Sequence, residues 1–365
     1  MEKVKVGIIG CGNISNQYVE GCGRFEILDL MACADIDLQK ALDLADKHDL
    51  TAYSVAELLA DPEIEIVINL TIPEVHAAVN LDVIAAGKHV YSEKPLATLR
   101  ADGQKVLTAA KAAGVRVGCA PDTFLGGGLQ TCRKLIDDGW IGQPVAATAF
   151  MMSHGPESWH PNPVFFYQPG AGPLFDMGPY YLTTLISLMG PIDSVFAAAT
   201  ISFAERTATS AAKFGERIPV HTPTHVSSLL NFDNGAVGTM ITSFDVWASE
   251  VPRIEIYGSA GSLSVPDPNI FGGQVRLRRP GDDGWQPIPL THTDQVLRGI
   301  GVADMATAIR SGRAHRANGE MAYHVLDIME ALLDSSKAGQ QLAIESNCSQ
   351  PAPLPLGLLR GRLDT

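Results

Sequence analysis

Short apolar runs alternate with segments of helical spacing over the first third of the chain. The apolar runs predict five strands, at residues 4–9, 27–34, 64–70, 88–91 and 115–119. Between them, residues 74–86 and 98–113 repeat apolar positions every three or four residues, as one face of a helix does. Strands that alternate with helices form a parallel sheet covered on both faces, so this part predicts a doubly wound α/β domain.

The pattern changes from residue 145 onward. Longer strands follow, joined by hairpin signals at residues 233–235 and 258–261. Helical spacing returns at residues 304–310 and 320–335, and prolines accumulate in residues 350–355. These features predict a second domain built on an antiparallel sheet, followed by a proline-rich tail.

Composition and charge narrow the range of partners. The 365 residues are enough for two domains, and the formal net charge of −13, with no cluster of Lys and Arg, argues against nucleic acid. The weakly charged stretch at residues 177–204 is broken by Gly190 and Pro191 into pieces too short to span a membrane. The six cysteines form no Cys-x-x-Cys pair, and no signal-peptide core precedes the first strand. We therefore expect a cytoplasmic protein that binds neither nucleic acid nor membrane.

A glycine-containing turn follows the first predicted strand. Gly10 and Gly12 lie in this turn, and Asn13 and Ile14 lead into the first helix. In this context the glycines let the backbone approach the pyrophosphate of a dinucleotide, whose charge the helix N-terminus stabilises. Ser15 replaces the third glycine of the fingerprint, which weakens the motif taken alone.

Asp35 ends the second predicted strand, where dinucleotide-binding folds carry the acid that binds the adenosine ribose. No arginine follows it, and a carboxylate repels a 2′-phosphate, so NAD is favoured over NADP. Capping the next helix is the alternative role for Asp35. Further along, Thr71 and Pro73 follow the third predicted strand, and both are expected beside the cofactor together with His76. For His76, a structural role is the alternative to a role in cofactor binding or catalysis.

Glu93, Lys94 and Pro95 follow the strand predicted at residues 88–91. Open α/β sheets bind ligands at the carboxyl ends of their strands, so Lys94 is placed to reach a cofactor. Pro95 favours an extended backbone at Lys94, and the bond between them is of the kind that can be cis. A solvated lysine before a turn is the alternative.

In the second domain, residues 172–181 lead into a helix. Pro179 is expected in its first turn, because a proline further along removes a helical hydrogen bond. Asp176 and Tyr180 are four residues apart and emerge on one face if the helix already includes Asp176. Helical spacing places Tyr180 on the polar face and Tyr181 on the apolar one. A capping aspartate and a surface tyrosine are the alternatives.

Taken together, these motifs resemble those of the Gfo/Idh/MocA oxidoreductase family over residues 3–336. The matching segments are residues 10–13, 71–76, 86–90, 93–97 and 176–180. The resemblance implies a nicotinamide cofactor, a carbohydrate substrate and a homodimer or homotetramer. Its expected parts are a Rossmann domain at residues 1–122, a substrate-binding and oligomerisation domain with a large open, mainly antiparallel sheet at 123–340, and the proline-rich tail at 341–365.

The family pattern assigns roles to individual residues. It implies that Lys94, preceded by Glu93, lies beside the nicotinamide and the reacting hydroxyl, and that Asp176 holds the substrate or orients the base. The family usually has histidine four residues after the aspartate, where this chain has Tyr180. Either Lys94 or Tyr180 is therefore the main proton carrier.

Four further residues are candidate substrate contacts. Many family members have an arginine-containing segment where this chain has residues 120–124, and Asp122 and Thr123 are expected to contact substrate or cofactor there. Trp159 offers a flat ring for a sugar face and His160 a polar partner, although a loop or interface position is the alternative for His160. No pair of histidine and acid residues has convincing ligand spacing, so we expect no metal.

The predicted chemistry is transfer of a hydride from a carbinol carbon to NAD⁺, while Lys94 or Tyr180 accepts the hydroxyl proton. Two other functions remain open at this point. An oxidoreductive glycoside hydrolase would oxidise the sugar transiently, eliminate the aglycone and return the hydride, with no net use of NAD. A regulator that senses the cofactor without turnover is the third, and the presence of Lys94, Asp176 and Tyr180 together argues against it.

Overall fold

The computed structural model describes residues 1–364 of the chain. Its first part is a parallel sheet with flanking helices. The strands are β1 (Val4–Ile9), β2 (Leu28–Ala34), β3 (Thr51–Tyr53), β4 (Ile66–Asn69), β5 (His89–Ser92) and β6 (Val117–Cys119). The helices are α1 (Ser15–Cys22), α2 (Leu38–His48), α3 (Val55–Ala60), α4 (His76–Ala85) and α5 (Arg100–Ala113). The strand order is β3-β2-β1-β4-β5-β6, so the connections change direction between β1 and β4 and leave a crevice at their carboxyl ends.

Alternate side chains of the central strands enter two different cores. Ile8 and Ile68 pack in one core, and Ile9 and Val67 pack in the other. A strand that is buried on both faces reads as a continuous apolar run, which is why this doubly wound domain could be predicted and is confirmed. The short elements β3 and α3 were not predicted, because segments of three and six residues are too short to show a periodic hydrophobic pattern.

The second part contains eleven further strands and four α-helices among the described residues. The strands are β7 (Pro144–Met152), β8 (Ile192–Thr200), β9 (Glu205–Thr207), β10 (Arg217–Pro219), β11 (His225–Phe232), β12 (Val237–Ser243), β13 (Ile254–Gly258), β14 (Gly261–Val265), β15 (Val275–Arg278), β16 (Gln286–Ile288) and β17 (Leu342–Ala343). The helices are α6 (Gly127–Asp137), α7 (Gly172–Met189), α8 (Ile300–Ser311) and α9 (Gly319–Ala338).

Nine of these strands form one sheet, in the order β16-β15-β14-β13-β7-β12-β11-β8-β17, and β9 pairs separately with β10. Among the described strands of the large sheet, only β7 and β12 pair in parallel, so the expected mainly antiparallel sheet is confirmed. The hairpin signals at residues 233–235 and 258–261 join β11 to β12 and β13 to β14. Helices α6, α7 and α9 pack on the sheet, which elsewhere exposes apolar side chains such as Phe196 and Leu229.

Two helices of the second part dock onto the first sheet. Both α8 and α9 pack against β6, and α9 also packs against α5. The chain end reinforces this arrangement, because Leu354 donates its backbone N–H to Gln130 on α6 and Asp364 pairs with Arg313 after α8. The predicted tail therefore lies against the protein rather than projecting from it.

No helix within residues 1–364 combines the length and the apolar character needed to cross a bilayer. All six cysteines are free thiols, and Cys11 is the one that is partly exposed.

Asp304 on α8 is fully buried and forms ion pairs with Arg313 and Arg316. It also accepts the backbone N–H of Arg316. This cluster fixes the turn between α8 and α9.

We expect Asp304→Ala to lower the free energy of unfolding by about 3–5 kcal/mol, because it leaves two partly buried guanidinium groups without their carboxylate. Urea denaturation followed by circular dichroism measures this loss. Glu205→Ala is the control: it removes a pair with Arg217 in which both side chains are exposed, and should cost no more than about 1 kcal/mol. Equal losses in the two variants would contradict the assignment.

Candidate active site

Lys94 follows the carboxyl end of β5 and reaches across to the second domain. Its Nζ atom lies 2.9 Å from Asp176 Oδ1 and 2.7 Å from the backbone oxygen of the same residue. The same Nζ atom is 5.3 Å from the centroid of the Tyr180 ring. The Lys94–Pro95 peptide bond is cis. The structure thus joins the three residues that the sequence selected as catalytic, and the alternative of a solvated surface lysine is wrong.

Helix α7 supplies Asp176 and Tyr180 from one face. The helix begins at Gly172, so Pro179 lies inside it and the expectation that Pro179 belongs to the first turn is wrong. The sequence suggested a later start for α7, because Gly170 and Gly172 are typical of a turn rather than of a helix. Tyr180 is 4% exposed, which excludes the alternative of a surface ring.

The charges of Lys94 and Asp176 compensate each other. Burial lowers the pKa of Lys94, but the nearby Asp176, Tyr180 and Glu93 outweigh burial, and the pKa is raised overall above its ordinary value. Lys94 is therefore an ammonium group at neutral pH. Burial raises the pKa of Tyr180, and Lys94 opposes that rise, so the phenol keeps its proton in the resting protein.

Glu93 orients the backbone that carries Lys94. Its Oε2 atom accepts the Lys94 backbone N–H at 2.9 Å, and its Oε1 atom accepts the Tyr18 hydroxyl at 2.8 Å. Tyr18 belongs to α1, so Glu93 connects this helix to the backbone of Lys94. A direct cofactor contact by Glu93 stays a prediction.

The turn after β1 leaves room for a ligand. A Cβ atom on Gly10 would lie 2.6 Å from the backbone carbon of Leu70, and Gly10 has a φ of 103°, so only glycine fits there. A Cβ atom on Gly12 would meet nothing within 4 Å. Within residues 1–364, the backbone N–H groups of Gly12, Asn13 and Ile14 donate to no protein group.

Helix α1 also begins without a side-chain cap. These unpaired N–H groups and the bare surface at Gly12 fit a dinucleotide pyrophosphate. Ser15, in place of the third glycine, is fully buried and donates its hydroxyl to the backbone oxygen of Gly12 at 2.7 Å. The small serine is therefore accommodated within the turn.

Asp35 lies beside this turn. Its Oδ2 atom accepts the backbone N–H of Cys11 at 2.8 Å, and its Oδ1 atom accepts that of Asp37 at 2.9 Å. The N-cap of α2 is Asp37, whose side chain accepts the N–H of Gln39, so the alternative capping role for Asp35 is wrong. Asp35 remains placed for a ribose.

The turn after β4 is held by buried hydrogen bonds. The Thr71 hydroxyl donates to Asn69 Oδ1 at 2.6 Å, and Pro73 begins a short 3-10 turn. His76 is buried, with Nδ1 2.7 Å from the Pro95 oxygen and Nε2 2.9 Å from the Thr71 oxygen. Burial lowers the pKa of His76, although these carbonyls oppose the shift. Since both ring nitrogens face the backbone, the structure favours the structural role of His76 over a cofactor contact.

Asp122 and Thr123 are fully buried, which does not suit the predicted substrate contact. Asp122 Oδ2 accepts the backbone N–H groups of Gly299 and Gly301, at 2.8 and 3.0 Å, and so fixes the turn before α8. Burial raises the pKa of Asp122, against the effect of these N–H groups. The acid of this segment therefore faces inward, toward the turn before α8.

Trp159 and His160 lie in an aromatic cluster. Their rings are 5.3 Å apart, and His160 also contacts Phe165 and Phe166. Trp159 is 67% exposed and offers the open ring that a sugar face would require. Among the described residues, neither side chain forms a hydrogen bond to Lys94, Asp176 or Tyr180, and their substrate contacts stay predictions.

Sequence reasoning missed Arg298. Its guanidinium carbon is 5.6 Å from the centroid of the Tyr180 ring, and its Nη2 atom donates to Asn269 Oδ1 at 2.9 Å. Arg298 is remote from Tyr180 in sequence and belongs to no motif. Gly299 and Gly301, which follow Arg298, are the sequence feature that could have indicated a tightly packed turn here. Within residues 1–364 no group of His, Cys, Asp and Glu side chains is arranged to hold a metal ion.

Family models match both parts of the chain. Residues 4–120 match the oxidoreductase family with an NAD-binding Rossmann fold, and residues 129–264 match the GFO/IDH/MocA C-terminal domain. The chain is 25% identical over 346 residues to 1,5-anhydro-D-fructose reductase of Ensifer adhaerens, which covers 93% of this chain and 98% of that protein. It is 25% identical over 276 residues to myo-inositol 2-dehydrogenase of Thermotoga maritima, with 75% and 76% covered.

A solved structure has the same fold. The NAD binding oxidoreductase from Klebsiella pneumoniae matches with a TM-score of 0.82 at 24% identity, over 94% of this chain and 100% of that one. The two family models together span more than half of the sequence, in the order in which the structure places the two sheets. The protein therefore belongs to the GFO/IDH/MocA family of oxidoreductases, and its N-terminal domain is the NAD-binding Rossmann domain of that family.

Proposed function

We propose that this protein is an NAD-dependent dehydrogenase that acts on a carbinol of a sugar, polyol or inositol. The meeting of Lys94 with Asp176 and Tyr180 at the carboxyl end of β5 carries the proposal. The named relatives act on an anhydro sugar and an inositol, which supports this substrate class. They are a reductase and a dehydrogenase, so redox-neutral glycoside cleavage is not favoured.

In the proposed reaction, NAD supplies the acceptor for the hydride when it is bound. The Lys94 ammonium donates a hydrogen bond to the reacting oxygen and orients it. Asp176 holds that ammonium in place. Tyr180 accepts the hydroxyl proton after its phenol has released its own proton to solvent. In the reducing direction the same proton returns to the carbonyl oxygen.

The cofactor is proposed to lie over the carboxyl ends of β1 and β4. Gly12, Asn13 and Ile14 would face the pyrophosphate with their backbone N–H groups, and Asp35 would accept the ribose hydroxyls. Thr71 and Pro73 would face the nicotinamide side, next to Glu93 and Lys94. Trp159 and His160 are proposed for the sugar, and Trp159 would stack on it.

We further propose the division into residues 1–122, 123–340 and 341–365, since the parallel sheet ends with β6 and the large sheet begins with β7. The six free cysteines are consistent with a reducing cytoplasm.

We expect the outer face of the large sheet to form a homodimer or homotetramer. Phe196 and Leu229 pair across β8 and β11 and are 40% and 46% exposed, as interface side chains would be in a single chain. Analytical ultracentrifugation should return a multiple of 38.9 kDa, and Leu229→Lys should shift the mass toward the single chain. A wild-type protein that stays a single chain at all concentrations would rule out this interface.

We expect Asp35→Ala to weaken NAD binding about tenfold or more, because a charge-assisted hydrogen bond to the ribose is lost. NADP binding should weaken less, because the repulsion of its 2′-phosphate is removed. Calorimetric titration with both cofactors measures the preference. Asp37→Ala is the control, because it removes the cap of α2 and leaves the Asp35 carboxylate in place. This variant should keep the wild-type preference for NAD over NADP. An unchanged preference in Asp35→Ala would refute the ribose assignment.

We expect Lys94→Met to lower turnover about 100-fold or more while NAD affinity stays close to that of the wild type. The assay offers monosaccharides, anhydro sugars, inositols and aryl glycosides, and follows NADH absorbance and aglycone release in parallel. Lys111→Met, on the exposed side of α5, is the matched control.

NADH that forms in step with ketone product supports the proposed function. Aglycone release without net NADH would instead support the hydrolase. Near-normal rates in Lys94→Met would show that the catalytic assignment is wrong.

A further inference from the structure

Tyr180 faces two cations rather than one. The Lys94 ammonium is 5.3 Å from the centroid of its ring, and the guanidinium carbon of Arg298 is 5.6 Å from the same point. Both distances lie within the range of a cation–π interaction. The two cations come from different parts of the chain, Lys94 from the end of β5 and Arg298 from the turn before α8.

The Tyr180 hydroxyl forms no hydrogen bond to any group within residues 1–364. By contrast, the neighbouring Tyr181 hydroxyl contacts both Phe150 and Arg253. Tyr180 is nevertheless buried, so its ring position depends on packing and on the cations at its face. A phenol without a protein partner is available to a substrate oxygen.

Arg298 is held in place from three sides. Its Nη2 atom donates to Asn269 Oδ1 at 2.9 Å. A Cβ atom on Gly21 of α1 would lie 1.9 Å from the Arg298 backbone oxygen, so α1 packs directly against this turn. Asp122 fixes the following residues by accepting two backbone N–H groups. The Asn269 contact restrains the guanidinium itself, and the other two contacts restrain the backbone that carries it.

The remaining charges near Tyr180 balance these cations. Glu93, from the end of β5, and Asp176, from α7, are the nearby carboxylates. Burial raises the pKa of the phenol most, Lys94 and Arg298 lower it, and the two carboxylates raise it. Arg298 itself forms no ion pair within 4 Å among the described residues, so its charge is not neutralised by direct contact.

We propose that Arg298 is a positioning residue for Tyr180: it holds the ring in the crevice and favours the charged form of the phenol during proton exchange. The inference rests on the proposed dehydrogenase function, in which Tyr180 exchanges the proton of the reacting hydroxyl. Asp122 and Gly21 act one step further away, because they fix the turn that carries Arg298.

The first experiment needs no substrate. Tetranitromethane attacks the phenolate form of tyrosine, so the rate of Tyr180 nitration at one fixed pH, read by peptide mass spectrometry, reports how readily the phenol ionises. We expect Arg298→Met to slow this nitration about tenfold or more, because the loss of a nearby cation raises a phenol pKa by about one unit or more. Arg298→Lys, which keeps the charge, should restore most of the rate.

Arg276→Met is the matched control, because Arg276 lies 5.6 Å from the Trp285 ring, in a contact that does not involve Tyr180. In the Arg276→Met variant, Tyr180 should be nitrated at the wild-type rate. If Arg298→Met fails to fold, Asn269→Ala keeps the guanidinium but removes its hydrogen-bond acceptor, and should slow nitration in the same direction. A rate equal to or above that of the wild type in the folded variants would overturn the proposal.

The second experiment is the pH profile of kcat for carbinol oxidation. Removal of Arg298 should move the rising limb to higher pH, whereas a purely structural defect would lower kcat at every pH without moving it. If no carbinol is oxidised, the proposed function fails, and the nitration rates still decide the role of Arg298.

Discussion

The ion pair between Lys94 and Asp176 is the contact on which the candidate site depends. It joins a strand end of the Rossmann domain to a helix of the second domain, and each charge is largely removed from water. A buried charge is costly unless it is paired, so neither side chain is easily separated from the other. The pair therefore fixes the relative position of the two surfaces that would enclose the substrate.

The rest of the fold makes this pairing possible. The parallel strand order brings the ends of β1, β4 and β5 to one edge, and α8 and α9 hold the second domain against β6. Buried polar contacts then set the details. Glu93 orients the Lys94 backbone, and Asp122 fixes the turn of Arg298. Both carboxylates accept from N–H or O–H donors, which offsets part of the cost of burying them.

The sequence predicted those parts of the fold and the site that carry a local pattern. Apolar runs located five strands of the first sheet, and short motifs located Lys94, Asp176 and Tyr180. The contacts that depend on distant packing could not be read in this way. Arg298 reaches Tyr180 only through the docking of the turn before α8, and Asp122 turns inward because that turn needs an acceptor. Gly10 was read as a cofactor residue, yet its bare Cα atom is required by the backbone of Leu70.

The position of Pro179 shows how the site and its helix accommodate each other. Proline has no N–H group, so the backbone oxygen of Phe175, four residues earlier, receives no helical hydrogen bond from it. The next carbonyl along the helix is that of Asp176, and it accepts a hydrogen bond from Lys94 Nζ at 2.7 Å. The ammonium thus supplies a strong donor to the turn of α7 that the proline weakens. Because the same ammonium binds the Asp176 carboxylate, one group stabilises both the helix turn and the charge of Asp176.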